Sequence, residues 1–316
     1  MAQRRQPSVQ DTKFRGQPAV RLSCGPVTAT FLPGHGLTGV SLRYGRAEFL
    51  AIPGGLDALR AGRTAGLPLL APWANRLSRW HYRVGRTRVD LTGLPLGTDD
   101  NGLPIHGLLC GRPAWTITGR RTSATTAGLD ARVDVDDPAF PFPHTLVVRA
   151  EVDEGGLTVT TMLHATGRRA VPAAFGWHPY LRLPGTPRGE WTLHLPARRH
   201  VALDDRGIPS GGSKDEPAQA DKVRRRTFDD LYRIRRSRDW AITSAPGYGI
   251  RMSAGPGYDY AQVWVPAGRT FLALEPMTVA TDALVRGDAR MVAPGESFAA
   301  RFRLALTAPQ PSRGGH

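Results

Sequence analysis

The sequence predicts an all-β protein, a large antiparallel β-sandwich, and three observations carry that prediction. Apolar and polar residues alternate with a period of two in many short runs, while stripes at i, i+3, i+4, i+7 are nearly absent. Gly (36) and Pro (27) make up about a fifth of the 316 residues, which suits short strands and turns better than long helices. The runs do not alternate with helical patterns, so there is no βαβ signature and an antiparallel sandwich or barrel is expected. With 41% hydrophobic and 22% charged residues, a chain of this length buries a core without a disulfide or metal staple.

Taken in order, residues 1–16 are polar and basic and read as a flexible tail. Val27, Ala29 and Phe31 then alternate with small or polar residues, as do Val40, Leu42 and Tyr44. Residues 54–62 have the spacing of a short helix. Strand runs follow at 115–118, 145–152, 157–163 and 191–195, each bounded by Gly, Pro or Asp. Residues 204–226 are polar and rich in Gly and Pro and read as a long exposed loop, and 227–236 as a short helix. Strand runs return at 261–265, 270–274 and 298–306, and 309–316 read as a second flexible tail. No repeat of 20–50 residues is evident, so 17–308 form one sandwich domain.

The net charge of +15 invites a nucleic-acid reading, but its makeup argues against one. Lysine stands only at Lys13, Lys214 and Lys222; the other basic residues are arginines scattered along the chain. A local cluster at 224–226 and 233–238 reads as a solvated face, and no basic stripe interleaved with aromatics marks a nucleic-acid groove. The arginine excess keeps an anionic substrate open. Cys24 and Cys110 form no disulfide framework, and no CxxC offers metal or redox chemistry. The N-terminus lacks a signal-peptide apolar region, and no run approaches the ~20 apolar residues of a membrane span. A soluble cytoplasmic protein with no membrane or nucleic-acid partner is expected, as monomer or homodimer.

Gly34 to Gly39 spell a formal GxGxxG with Asp57 downstream, but the segment after Gly39 alternates as a strand, so no helix N-terminus could hold a pyrophosphate. A glycine-rich hairpin turn is the expectation. No Walker loop, HExxH or GxSxG occurs, and Asp134, Asp136 and Asp137 lack the Gly and Glu of a calcium loop and read as a turn. Four clusters are polar where β-proteins are usually bland. Trp73, Asn75 and Arg76 stand together in PWANR (72–76), although an arginine stem covering a structural tryptophan would look the same. His106 lies in IHG (105–107). His178 precedes Pro179 in FGWHPY (175–180), which holds it extended. Glu275 ends an apolar run in ALEPMT (273–278). A lone histidine or strand-end glutamate is more often structural than catalytic; four such clusters in one chain are a different matter.

With these motifs the sequence resembles the aldose 1-epimerases, or galactose mutarotase-like proteins. The likeness runs from about residue 20 to 305 and rests on the order of PWANRL, IHG, GWHPYL, FDDLY, LEPMT and APGESF. It implies a galactose mutarotase-type supersandwich with a sugar cleft on one face, and interconversion of α and β anomers of a hexose without a cofactor or metal. By the family pattern Glu275 is the base that takes the C1 hydroxyl proton, and His178 is the acid that protonates the ring oxygen. His106 hydrogen-bonds the ring or C1 oxygen, and Arg76 and Asn75 belong to the sugar-binding set. Asp229 accepts from sugar hydroxyls, with Asp230 the neighbour that could be confused with it. Trp73, Trp177 or Tyr180 would stack on the sugar's apolar face. The GWHPYL segment departs from the Asn-His-x-Tyr-Phe-Asn of the best-known galactose mutarotases and suggests a divergent bacterial branch, which leaves the sugar's identity open.

Rival readings are an epimerase of a phosphorylated or sulfonated hexose, a glycoside hydrolase using Glu275 and Asp229, and a sugar-binding protein without catalysis. The first requires arginines converging at one end of the cleft. The second requires a carboxylate pair at ~5–5.5 or ~6.5–9.5 Å. The third gives no reason for an acid to face a base.

Overall fold

The computed structural model describes residues 6–112 and 115–309. Two large antiparallel sheets face each other. One has nine strands, in the order Gln219–Lys222, Thr192–Leu195, Asp239–Thr243, Gly249–Ala254, Ser297–Thr307, Gly156–Ala165, Phe140–Asp153, Ala127–Asp137 and Thr116–Thr122. The other runs Pro209–Glu216, Arg198–Leu203, Phe228–Ile234, Tyr260–Val265, Leu272–Met277, Gly176–Trp177 and Leu69–Leu70, with Tyr180–Leu181 also paired to Leu272–Met277. A five-stranded meander over residues 8–48 packs beside them, its Leu22, Val27, Phe31 and Leu42 sharing the main core. Among the described residues no helix is long and apolar enough to cross a membrane.

Aromatic pairs bridge the two large sheets: Trp177 meets Phe302 with ring centroids 5.8 Å apart, and Tyr232 meets Trp240 at 5.5 Å. Along Phe140–Asp153 and Ala127–Asp137 burial alternates, so one face supplies the core and the other meets solvent. The central strand Leu272–Met277 is buried at all six residues. Its Leu272 and Leu274 point into the core, while Ala273, Glu275 and Met277 lie on the opposite face of the sheet, where loops cover them. That covered outer face is the floor of the cleft.

Several sequence expectations are corrected. Ser8–Phe14 is not part of a tail: it is the edge strand of the meander, paired with Gln17–Cys24 through a turn in which Arg15 and Gly16 both have positive φ. Within 204–226, Pro209–Glu216 and Gln219–Lys222 are the edge strands of the two large sheets. Both misread segments are polar because an edge strand is fixed by main-chain hydrogen bonds and keeps little apolar burial. Phe228–Ile234 is a strand, not a helix, and Asp134 to Asp137 end a strand rather than form a turn. The helix at Gly55–Arg60 and the hairpin across Gly34–Gly39 are as expected, the latter joining Val27–Leu32 to Thr38–Tyr44. The tails' outer parts, 1–5 and 310–316, lie outside the described residues.

Candidate active site

The outer face of the eight-stranded sheet carries the chemistry, and period two decides which residues reach it. On Tyr260–Val265, Ala261, Val263 and Val265 face the core, which turns Gln262 and Trp264 to the cleft. Register places Gln262 opposite Glu275 and Trp264 opposite Ala273. On Phe228–Ile234 the same alternation brings Asp229 into the cleft, while Asp230 accepts a hydrogen bond from the Tyr232 hydroxyl. Of these two neighbouring aspartates, strand geometry brings only Asp229 into the cleft lining.

Two loops close the cleft's other side and are laced together by main-chain bonds. The His106 amide donates to the Asn75 carbonyl (3.1 Å), Leu77 to Pro104 (2.9 Å) and Leu108 to Ala71 (2.7 Å). The lacing demands unusual backbone: Asn75 and His106 have φ of 60° and 65°, and Gly107 has 72°. Gly107 tolerates no side chain, because a Cβ there would overlap the Ala71 carbonyl and come within 2.9 Å of the Pro72 nitrogen.

The cleft encloses about 820 Å³. At its centre His178 Nε2 lies 3.4 Å from Glu275 Oε1, both side chains deeply buried. The imidazole stacks on Tyr180 (4.5 Å between centroids, 17° between planes) and takes the edges of His106 at 5.5 Å and Trp264 at 5.4 Å. The Tyr180 hydroxyl shares a 2.6 Å hydrogen bond with Thr64 Oγ1. On the other flank Arg76 donates from Nε to Asp99 (2.7 Å), from Nη2 to Asp229 (3.0 Å) and from Nη1 to the Asn75 side-chain oxygen (3.2 Å). Gln262 Nε2 donates to the second oxygen of Asp229 at 2.6 Å. Asp99 is held in turn by the amides of Asn101 and Leu103, both at 2.9 Å. The turn at Gly207 packs over the Arg76 guanidinium.

Burial governs the proton affinities. It drives the His178 imidazole down to about 3 and, with the Asp229 carboxylate adding repulsion, raises Glu275 well above the usual carboxylate range against the pull of Arg76. His106 is held well below an ordinary histidine by burial, then by the charges of His178 and Arg76. Arg76 itself stays firmly cationic, because Asp229 and Asp99 outweigh its burial. For both members of the Glu275–His178 pair, then, burial favours the neutral form, carboxylic acid and imidazole. Glu275 Oε2, Gln262 Oε1, His106 Nδ1 and His178 Nδ1 are buried with no hydrogen-bond partner among the described residues. Such a gathering of unsatisfied polar atoms suits a polyhydroxylated ligand.

The cleft thus unites Glu275, His178, His106, Arg76, Asn75, Asp229 and Tyr180, all singled out from the sequence. It does not unite Trp73 and Trp177. Trp73 is 1% exposed and belongs to the core, and Trp177 points between the sheets, where its Nε1 donates to Thr161 Oγ1 at 2.9 Å. Alternation explains the second case: with His178 facing the cleft, its neighbour faces the core. Trp264, Gln262 and Asp99 are the residues that the sequence reading missed. Trp264 and Gln262 share one phase of an alternating strand, but the sequence does not say which phase meets the cleft; Asp99 carried only the Asp-Asp-Asn-Gly signal of a turn. Among the described residues no group of His, Cys, Asp or Glu is arranged to hold a metal ion.

Comparison with known proteins places this geometry in context. The family model for aldose 1-epimerase matches residues 62–305. No curated protein matches the chain significantly. Among solved structures, a galactose mutarotase-like protein from Clostridium acetobutylicum superposes with a TM-score of 0.84 at 18% identity, covering 95% of this chain and 98% of its own. Galactose 1-epimerase from Lactobacillus acidophilus gives 0.75 at 12% identity, covering 96% and 99%. The GalM/aldose epimerase homologue from C. elegans gives 0.73 at 14%, covering 96% and 100%. At these identities the structural likeness speaks for the fold, while the family match covers most of the chain.

Proposed function

The chain belongs to the aldose 1-epimerase family, and from that premise we propose that it interconverts the α and β anomers of a hexose by acid–base ring opening at Glu275 and His178. The observation that carries the reading is the buried pair itself: a carboxyl and an imidazole 3.4 Å apart, at the centre of a cleft lined by sugar-type hydrogen-bonding groups. In an aldose the hydroxyl oxygen O1 and the ring oxygen O5 sit on the same carbon, so two adjacent groups can serve both.

Ring opening moves two protons. Glu275 takes the proton of the C1 hydroxyl, the C1–O5 electron pair goes to O5, a C1=O1 double bond forms, and His178 protonates O5. The pair thereby passes from carboxylate and imidazolium to carboxylic acid and imidazole. Rotation about C1–C2 and closure on the other carbonyl face reverse both transfers, releasing the opposite anomer. The pair holds one proton throughout. Burial favours the second of its two forms; the first lies one proton transfer away across the 3.4 Å contact, and the positive charge of Arg76 leans toward it. His106, held neutral, can hydrogen-bond O1 or O5 without competing for that proton. Arg76, Asp229 and Gln262 form a clamped array beside the pair, suited to the hydroxyls next to C1. Of the three aromatics expected to offer an apolar surface to the sugar, only Tyr180 lines the cleft, and Trp264 joins it there.

The test is exchange NMR between α and β signals of glucose and galactose, with wild type, Glu275→Gln and His178→Asn. Each proton transfer is worth about 10²–10⁴-fold, so each variant should lose most of the acceleration while keeping its fold. Near-normal exchange in Glu275→Gln would overturn the mechanism.

A further inference from the structure

A second cavity of about 830 Å³, as large as the cleft, opens elsewhere on the molecule and shares no lining residue with it. Three walls enclose it: the hairpin of His81–Val84 and Thr87–Asp90, the segment 169–172, and the helix Ala283–Arg286 with the chain that follows it to Met291. The hairpin wall is firmly held. Tyr82 and Val89 sit in the main core, and the Tyr82 hydroxyl donates to the Ala139 carbonyl at 2.7 Å.

One side of this cavity is apolar. Phe142 and Leu284 line it from the core, and Pro172 stands opposite Met291 where Val171–Ala173 pairs with Arg290–Val292. Met291 is 46% exposed, the most exposed large hydrophobic side chain among the described residues. A single exposed apolar side chain is ordinary, but this one continues the apolar lining of a cavity out to solvent.

The other side is cationic. Arg83 and Arg88 stand directly opposite each other in the hairpin register, and Arg86 occupies its two-residue turn. Arg169 Nη1 donates to the Thr87 hydroxyl at 3.1 Å, which ties a fourth guanidinium to the same hairpin. All four arginines line the cavity and no carboxylate does. Among the described residues none of the four forms an ion pair. The hairpin's one carboxylate, Asp90, lies outside the lining and accepts from the Thr92 amide at 2.9 Å. Elsewhere on the sandwich, strand arginines are matched: Arg132 with Asp134, Arg149 with Asp130, and Arg303 with Asp153. Like charges directly opposite in a sheet cost stability. The hairpin thus gathers positive charge that no anion of the protein balances.

We infer that this second cavity binds a small organic anion, with an apolar body against Leu284, Pro172 and Met291 and a phosphate or sulfonate held by the hairpin arginines. Its volume falls within the ~300–1,000 Å³ of small-molecule sites. The planar guanidinium fork donates two parallel hydrogen bonds to such oxyanions. Three walls from separate parts of the chain make a socket for a compact ligand, not a flat face for a partner protein. The inference does not depend on the roles proposed for Glu275 and His178.

The experiment is isothermal titration calorimetry of the full chain with 2-naphthyl phosphate, 2-naphthalenesulfonate, 2-naphthol and inorganic phosphate. The first two carry both parts of the ligand, the third only the apolar body, and the last only the anion. Wild type is compared with the double variant Arg83→Ala/Arg88→Ala, with Met291→Glu, and with Trp264→Ala, which alters only the cleft. The arginines and Met291 are exposed, so their variants should keep native circular dichroism and the wild-type urea midpoint. Wild type should bind at least one naphthyl anion at a single site, about tenfold or more tighter than 2-naphthol or phosphate. The tighter of the two names the head group. The double variant and Met291→Glu should each weaken that binding by about tenfold or more, and Trp264→Ala should leave it within about twofold. Added salt should weaken it too, because exposed charges are screened. Binding of neither naphthyl anion, equal affinity for all four probes, or binding that survives in the double variant overturns the inference. Loss of binding in Trp264→Ala overturns it as well, by putting the ligand in the cleft. So does dimerisation that Met291→Glu abolishes with no naphthyl anion bound, since the cavity would then belong to a second copy of the chain.

Discussion

Gly107→Ala perturbs the site without touching a catalytic atom, and its cost can be worked from the structure. At φ 72° an L-residue carries ~1–2 kcal/mol of left-handed strain. The new Cβ would also overlap the Ala71 carbonyl and crowd the Pro72 nitrogen. These are backbone atoms of a strand-linked loop and cannot swing aside like a side-chain tip; forcing them apart costs ~1–3 kcal/mol. The expected loss of stability is therefore about 2–5 kcal/mol. It should fall on two of the three bonds that lace the loops, His106 to Asn75 and Leu108 to Ala71. Because His106 is the next residue, turnover should drop as well, by ~10²-fold if the imidazole moves by an ångström. Gly102→Ala is the matched control: its φ is 71°, and its Cβ would meet nothing within 4 Å, so only the ~1–2 kcal/mol of strain applies. Urea denaturation compares midpoints at constant m, and exchange NMR compares rates. Equal midpoints for the two variants would refute the claim that close backbone approach, rather than φ alone, fixes glycine at 107.

Two further predictions bear on the centre of the cleft. The proposed mechanism needs one proton on the Glu275–His178 pair; with burial depressing His178 to about 3, the second proton binds only far into acid, so kcat should stay flat as pH falls from 7 to 4.5. An acid limb with its midpoint near an ordinary histidine value would contradict the assigned burial. The two tryptophans should separate cleanly. Trp177→Phe strands the buried Thr161 hydroxyl and should cost ~1–3 kcal/mol in denaturation with little change in kcat/KM, whereas Trp264→Ala, stripping the edge from His178 and Tyr180, should raise KM; the reverse pattern would mean the cleft face has been misassigned.

The sandwich was legible because its long inner strands obey period two, and the residues at 145–152 or 157–163 have no other reason to alternate. The polar strands Ser8–Phe14, Pro209–Glu216 and Gln219–Lys222 were not, since sheet edges are held by main-chain bonds that side-chain type hardly reports. In the site, Glu275, His178, His106 and Arg76 were legible through their motifs. Gln262 and Trp264 were hidden by a missing reference: alternation divides a strand into two faces without saying which one meets the cleft, and only the pairing of Gln262 with Glu275 settles that. Trp177 misled because its neighbour His178 faces the cleft and alternation turns the tryptophan to the core, and Trp73 because its side chain, carried on a loop, packs into that core. Asp99 could not have been assigned, because nothing in a turn announces that it will meet an arginine 23 residues earlier.

The strands under the cleft are written in two interleaved scripts. In Leu272–Met277 and Tyr260–Val265 every second residue speaks to the opposing sheet, and those between speak to whatever enters the cleft. Neither script constrains the other's vocabulary except through the shared backbone. A lineage can therefore rewrite the cleft script at Trp264 or Gln262, and so change the sugar it handles, while Val263 and Leu274 keep the same sandwich standing. The reverse also holds: the core can be repacked without a change of substrate. A fold whose working surface is the back of its own core sheet is for that reason an easy one on which to vary specificity.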